Sequence, residues 1–181
     1  MNPAMPSFVV ATPFRSVCDI NARALAEEGL LRRYFLGTRR GTAGIPAELT
    51  RLLPVVGALA TGSAMLFGSS QAESFRFRLH PIFDHWVKSQ LRPGDNMISS
   101  YGYANASFAW VRKCGGKTFL DGGNSHPENF WAILEEEHRR WNFPYPPLPT
   151  HHYERSLRML EHVDFVLSPS TFVTESFLAR G

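Results

Sequence analysis

The sequence predicts an α/β domain on a mostly parallel, doubly wound sheet with helices on both faces. Three observations predict it. Short apolar runs alternate along the chain with stretches whose apolar residues recur at helical spacing. The short runs are continuously apolar, as strands covered on both faces are. The chain has 181 residues and is 44% apolar, enough for one sizeable core.

Each element follows in order. Residues 7–12 (SFVVAT) form a buried first strand that stops at Pro13, and residues 20–31 (INARALAEEGLL) a first helix ending near Gly29. Residues 33–37 (RYFLG) read as a second strand closed by glycine. Residues 46–67 are helical in part. Within them residues 52–67 (LLPVVGALATGSAMLF) carry no charge. The stretch is shorter than the roughly 20 residues of a spanning helix and is broken by Pro54, Gly57 and Gly62. It reads as buried core or as a surface that meets a partner. A helix covers residues 82–91 with Pro81 near its start, and Arg92-Pro93-Gly94-Asp95 is a loop. Residues 96–101 make a strand, 104–113 a helix stopped by Gly115-Gly116, and 117–121 the next strand. Residues 127–141 are the clearest helix, with Phe130, Ile133, Leu134 and Trp141 on one face. A proline-rich connector at 142–150 leads to a helix at 151–162, a strand at 164–167 and a last helix at 171–180.

In such sheets ligands bind beyond the carboxyl ends of the strands, where the strand order reverses. That rule marks residues 12–16, 37–40, 101–105, 121–126 and 168–170. The richest of these is the run GGNSHPEN from Gly122. Ser125 and Glu128 have capping-box spacing. Gly122 and Gly123 permit positive φ and let a ligand approach the backbone. Free amides at a helix start attract an oxyanion, and His126 can add a hydrogen bond or shuttle a proton. A well-capped helix with a bystander histidine fits the same residues. The loop after the first strand, Thr12-Pro13-Phe14-Arg15-Ser16, has no glycine, though Arg15 could offer a charged contact.

Several function classes are excluded. Neither G-x-G-x-x-G nor G-x-x-x-x-G-K-[ST] occurs, against a nicotinamide dehydrogenase and a P-loop enzyme. No G-x-S-x-G elbow occurs. H-E-x-x-H is absent, and the adjacent His151 and His152 point apart on a helix, so no metal site is expected. The formal charge of +3 comes with short arginine pairs (Arg32-Arg33, Arg39-Arg40, Arg139-Arg140), which argues against a nucleic-acid partner. Cys18 and Cys114 are isolated thiols, and no signal peptide precedes the first strand, so a reduced, cytoplasmic location is expected.

The tail DFVLSPSTFVTESFLARG orders a strand, a Pro-Ser turn, a helix with a glutamate and a glycine. It resembles the end of the N-terminal domain in glycosyltransferase family 4, the GT-B enzymes also called group 1. FLDGGNSHPENFWAILEEEHRRW resembles the region before it in one branch of that family, and FVVATP with INARALAEEG the opening strand and helix. The resemblance is strongest over residues 96–181. It implies a Rossmann-like N-terminal half of a GT-B fold, on the acceptor side, in an enzyme of the retaining type. A nucleotide-sugar would be the donor substrate, with no further cofactor. The donor-binding C-terminal domain would be absent from this chain, leaving the fragment alone inactive. On this reading His126 contacts the sugar or acceptor and Asp121 orients its loop. Phe14, Arg15, Tyr101, Tyr103, Asn105, Gly122, Gly123, Asn124 and Ser125 bind substrate, while Ser170 and Glu175 are structural. A second reading is a non-catalytic docking module, paired with a separate catalytic chain or held peripherally on a membrane. Its surface would be Arg76, Arg78, Trp86, Lys88 and Arg92 interleaved with Phe75, Phe77 and Phe83.

Overall fold

The computed structural model describes residues 6–14, 16–38, 42–66, 69–143 and 150–180. Its sheet has six strands: β1 (Phe8–Thr12), β2 (Leu31–Leu36), β3 (Thr50–Leu52), β4 (Asn96–Ser99), β5 (Thr118–Asp121) and β6 (Phe165–Leu167). Their order is β3-β2-β1-β4-β5-β6, and every neighbouring pair is parallel. The expected doubly wound, Rossmann-like α/β architecture is therefore present. The strand order reverses between β1 and β4, which opens a crevice at their carboxyl ends.

Helices α1 (Cys18–Glu27), α2 (Pro54–Leu66), α3 (Ser69–Lys88), α4 (Asn105–Lys113), α5 (Pro127–Arg140), α6 (Thr150–Leu160) and α7 (Thr171–Leu178) connect or follow the strands. Side chains alternate across the sheet as its period of two requires. Val9, Ala11, Phe35, Met97 and Leu120 pack on one face with Phe83 of α3, Phe108 of α4 and Met159 of α6. Val10, Tyr34, Leu36 and Ile98 pack on the other with Cys18 and Ala22 of α1. The buried Tyr34 hydroxyl donates to the Asp19 carboxylate, so its polar end is satisfied.

Three elements differ from expectation for physical reasons, and a fourth differs in its exposure. Helix α1 ends at Glu27, because Gly29 takes φ +68 and turns the chain into β2 at Leu31. Strand β3 is only three residues long, too short to show a period. Helix α3 runs through Pro81 rather than starting beside it. One side of it is buried at Leu79, His80, Phe83, Asp84 and Val87, and that burial outweighs the bond the proline cannot donate. Helix α5 forms as expected, but its apolar side is half in solvent, with Ile133 and Trp141 exposed.

The uncharged stretch 52–67 becomes β3's last residue and α2; its final residue, Phe67, lies outside the described residues. Only part of it is core: Val56, Gly57, Ala60 and Ser63 are buried, while Val55, Leu59, Met65 and Leu66 are exposed. The helix approaches the sheet closely because a Cβ on Gly57 would lie 2.4 Å from the Gly37 carbonyl oxygen. A Cβ on Gly37 would lie 2.3 Å from that of Pro13. The ends of β1 and β2 thus meet α2 backbone to backbone. Among the described residues no helix is long and apolar enough to cross a membrane.

Candidate functional site

The loops after β4 and β5 and the helix after β6 meet around His126 at the carboxyl ends of the strands. His126, not Ser125, is the N-cap of α5, with Pro127 at the first helical position. Its Nδ1 accepts from the Glu128 amide at 3.3 Å, and its own amide donates to Ser176 Oγ of α7 at 2.9 Å. The ring edge meets the Phe177 ring, centroids 5.4 Å apart. The residue is 8% exposed, and burial pulls its pKa below the ordinary imidazole value; Glu128 raises it and Arg180 lowers it. The ring is therefore neutral at pH 7. With Nδ1 accepting, its proton sits on Nε2. Among the described residues Nε2 has no protein partner, and it is not sealed from solvent.

The expected capping box does not form. The Glu128 carboxylate turns to Arg180 instead, which removes the repulsion it would exert on an anion at the helix mouth. Ser125 is buried, and its carbonyl shares the Tyr101 hydroxyl proton with that of Asn124, at 3.3 and 3.2 Å. The Tyr101 ring stacks parallel to Phe177, and burial raises its pKa, keeping the phenol protonated. Neither Gly122 nor Gly123 has positive φ. Gly122 is needed for a close approach: its amide donates to the Leu167 carbonyl, and a Cβ there would lie 2.8 Å from Val166 Cγ1. Gly123 and Asn124 face solvent, with 3.7 Å between a Cβ on Gly123 and the nearest atom, Val17 Cγ2.

Asp121 ends β5, 5% exposed, and its Oδ2 accepts from Asn21 Nδ2 of α1 at 3.1 Å. Burial raises its pKa; the contacts with Cys18 and Asn21 lower it. The Cys18 thiol beside it lies 3.2 Å from Ser100 Oγ, and its pKa is pushed up to about 12, first by burial and then by the Asp121 charge. Asp121 thus ties β5 to α1 and, through Cys18, to the loop after β4. Among the described residues no hydrogen bond joins it to His126.

Tyr103 and Asn105 belong to a neighbouring cluster. The Tyr103 ring meets His80 of α3 edge-on, centroids 4.5 Å apart, and burial raises its pKa. Asn105 Nδ2 donates to the Arg155 carbonyl, while its Oδ1 is buried without a partner. His152 of α6 stacks on Phe77, and its ring would collide with a Cβ on Gly102. Burial, then His151 and Arg155, push the His152 pKa down to about 4, and burial lowers that of His80 well below the ordinary value. Asp84, fully buried, holds this side together. It pairs with Arg155 at 2.6 Å and accepts from the Ala106 and Ser107 amides that open α4. Tyr101 is thus built into the His126 site, whereas Tyr103 and Asn105 are not.

Phe14 lies in the loop after β1, 9% exposed, with the Arg76 guanidinium 4.4 Å over its ring. Arg15 lies outside the described residues. Phe14 and Arg76 line a cleft of about 1030 Å³ that runs along α2. The aromatic residues proposed to meet a membrane turn inward: Phe83 is fully buried, Phe75 and Trp86 pack on the core, and Phe77 stacks on His152.

Sequence reasoning missed Ser176, Phe177 and Arg180 as partners of the histidine. Val173, Ser176, Phe177 and Arg180 recur at helical spacing after the Ser170 cap, so the face was readable, though not what it faces. Nothing local marked His80, and the pair His151-His152 was weighed only as a metal site. No family model, curated protein or solved structure matches the chain.

Proposed function

We propose that the chain is the acceptor-side, N-terminal half of a glycosyltransferase that moves a sugar from a nucleotide-sugar, at a cleft completed by a second domain. One observation carries the reading. At the carboxyl ends of the strands, three segments distant in sequence are bonded around one histidine whose Nε2 has no protein partner among the described residues. The strand order with its reversal between β1 and β4 supports it, as does the likeness of residues 96–181 to family 4 glycosyltransferases.

The chemistry follows from the tautomer. Nδ1 is occupied by the Glu128 amide, so the neutral ring offers a proton at Nε2 and no base. His126 therefore donates a hydrogen bond to a sugar oxygen and orients it. Near the leaving group, Arg180 beside Glu128 leaves the helix mouth free of net repulsion. Tyr101 fixes the 124–125 turn that sets the ring's position, and Asp121 acts at a distance through α1.

The test is transfer itself. Paired with a donor-binding domain of the same fold, the chain should move a sugar from a nucleotide-sugar, and neither half should do so alone. Transfer by the isolated chain, or none from the pair across common donors, contradicts the reading.

A further inference from the structure

The cleft along α2 takes no part in the chemistry above. Its walls are Phe14 after β1, Leu52 of β3, and Ala58, Thr61 and Met65 of α2, with Arg76 of α3 at its side. Three features set its character. Helix α2 carries no charge along its length, where an outward helix face ordinarily does. Its cleft wall reaches solvent at Met65, which is 83% exposed, and the same helix also exposes Val55, Leu59 and Leu66 on its outer side. Arg76 is the one charged residue among the described residues that line the cleft, and no carboxylate among them pairs with it.

We propose that this cleft binds an anionic amphiphile, a single apolar chain ending in a phosphate-type head, and that the acceptor belongs to this class. The second clause rests on the transferase reading; the binding does not. About 1030 Å³ is at the upper end of small-molecule sites. The small Ala58 and Gly62, with nothing within 4 Å of a Cβ on Gly62, leave that space open to a chain, and the polar side chains of the lining are Thr38, Thr61 and Arg76. Held over the Phe14 face, the Arg76 guanidinium can present two parallel N–H groups to a phosphate. Phe14 follows β1, the strand beside β4, so the head group lies toward the crevice and the chain leads away along α2.

Calorimetric titration with hexyl, octyl and decyl phosphate, each below its micelle concentration, and with inorganic phosphate tests this. Affinity should rise about three- to fourfold per added methylene, with no measurable heat from inorganic phosphate. Arg76→Gln should weaken decyl phosphate about tenfold or more. Ala58→Trp, at an exposed position, should fill the cleft and abolish the dependence on chain length. Circular dichroism should show both variants folded. Affinity independent of chain length, or unchanged in both variants, overturns the proposal. Transfer to a sugar acceptor by the paired domains, without alkyl phosphate binding, would remove this inference and leave the transferase standing. Binding without transfer would do the reverse.

Discussion

Replacing Asp84 by asparagine should be the most damaging conservative change on the α3–α6 side of the crevice. The carboxylate is fully buried and accepts from Arg155, from the amides of Ala106 and Ser107, and from the Ser107 hydroxyl. The Arg155 side chain is only 14% exposed, so the variant leaves a nearly buried guanidinium facing a neutral amide. Breaking a buried pair by removing one partner costs about 3–5 kcal/mol. With a urea slope of about 2 kcal/mol per molar, the midpoint should fall by about 2 M. Arg155 also holds the Gly102 carbonyl through Nε, so the 102–105 loop should lose amide protection first in hydrogen exchange. The double variant Asp84→Asn/Arg155→Met should recover part of the loss, since it removes the stranded charge. A midpoint shift below about 0.5 M in Asp84→Asn would refute the reasoning.

Acid should destabilise the fold before the carboxylates titrate. His152 and His80 are depressed in the folded state, so the unfolded chain binds more protons as pH falls below about 6.5. Their stabilisation is complete above that value and is lost as pH falls towards the folded pKa. His152, at about 4, should account for about 2 kcal/mol between pH 7 and pH 5, and His152→Gln should flatten the urea midpoint across that window. Gly57→Ala should cost about 1–3 kcal/mol because its Cβ meets the Gly37 carbonyl at 2.4 Å. Gly62→Ala on the same helix, with nothing within 4 Å, should instead stabilise by about 0.5–1 kcal/mol in a thermal melt.

The four central strands were legible because they are short, largely apolar runs covered on both faces, and helices α5 and α7 announce themselves by caps and spacing. At the edges β3 was not read as a strand, and β6, expected to be buried, leaves Phe165 and Leu167 exposed. Pro127 at the first turn of α5 and Ser170 capping α7 are local chemistry that tertiary structure left alone. Helix α3 was not legible at Pro81, where burial of Leu79 and Phe83 decided the outcome. The site was legible in position and not in wiring. The strand-end rule placed Asp121, Tyr101 and His126 at one end of the sheet. It could not say that Glu128 would prefer Arg180 to a capping box, since that partner lies at the far end of the chain. Tyr103 sits in the same loop as Tyr101 and Asn105 opens α4, yet they face His80 and Arg155.

The central claim is that the His126 imidazole touches the sugar being moved. Its most direct test is the turnover of His126→Ala in the chain paired with a donor domain, against Glu136→Ala on the exposed side of α5 as a control. The account predicts a fall of about a hundredfold for the histidine variant and near-normal rates for the glutamate variant. Turnover of His126→Ala within twofold of the parent would contradict it.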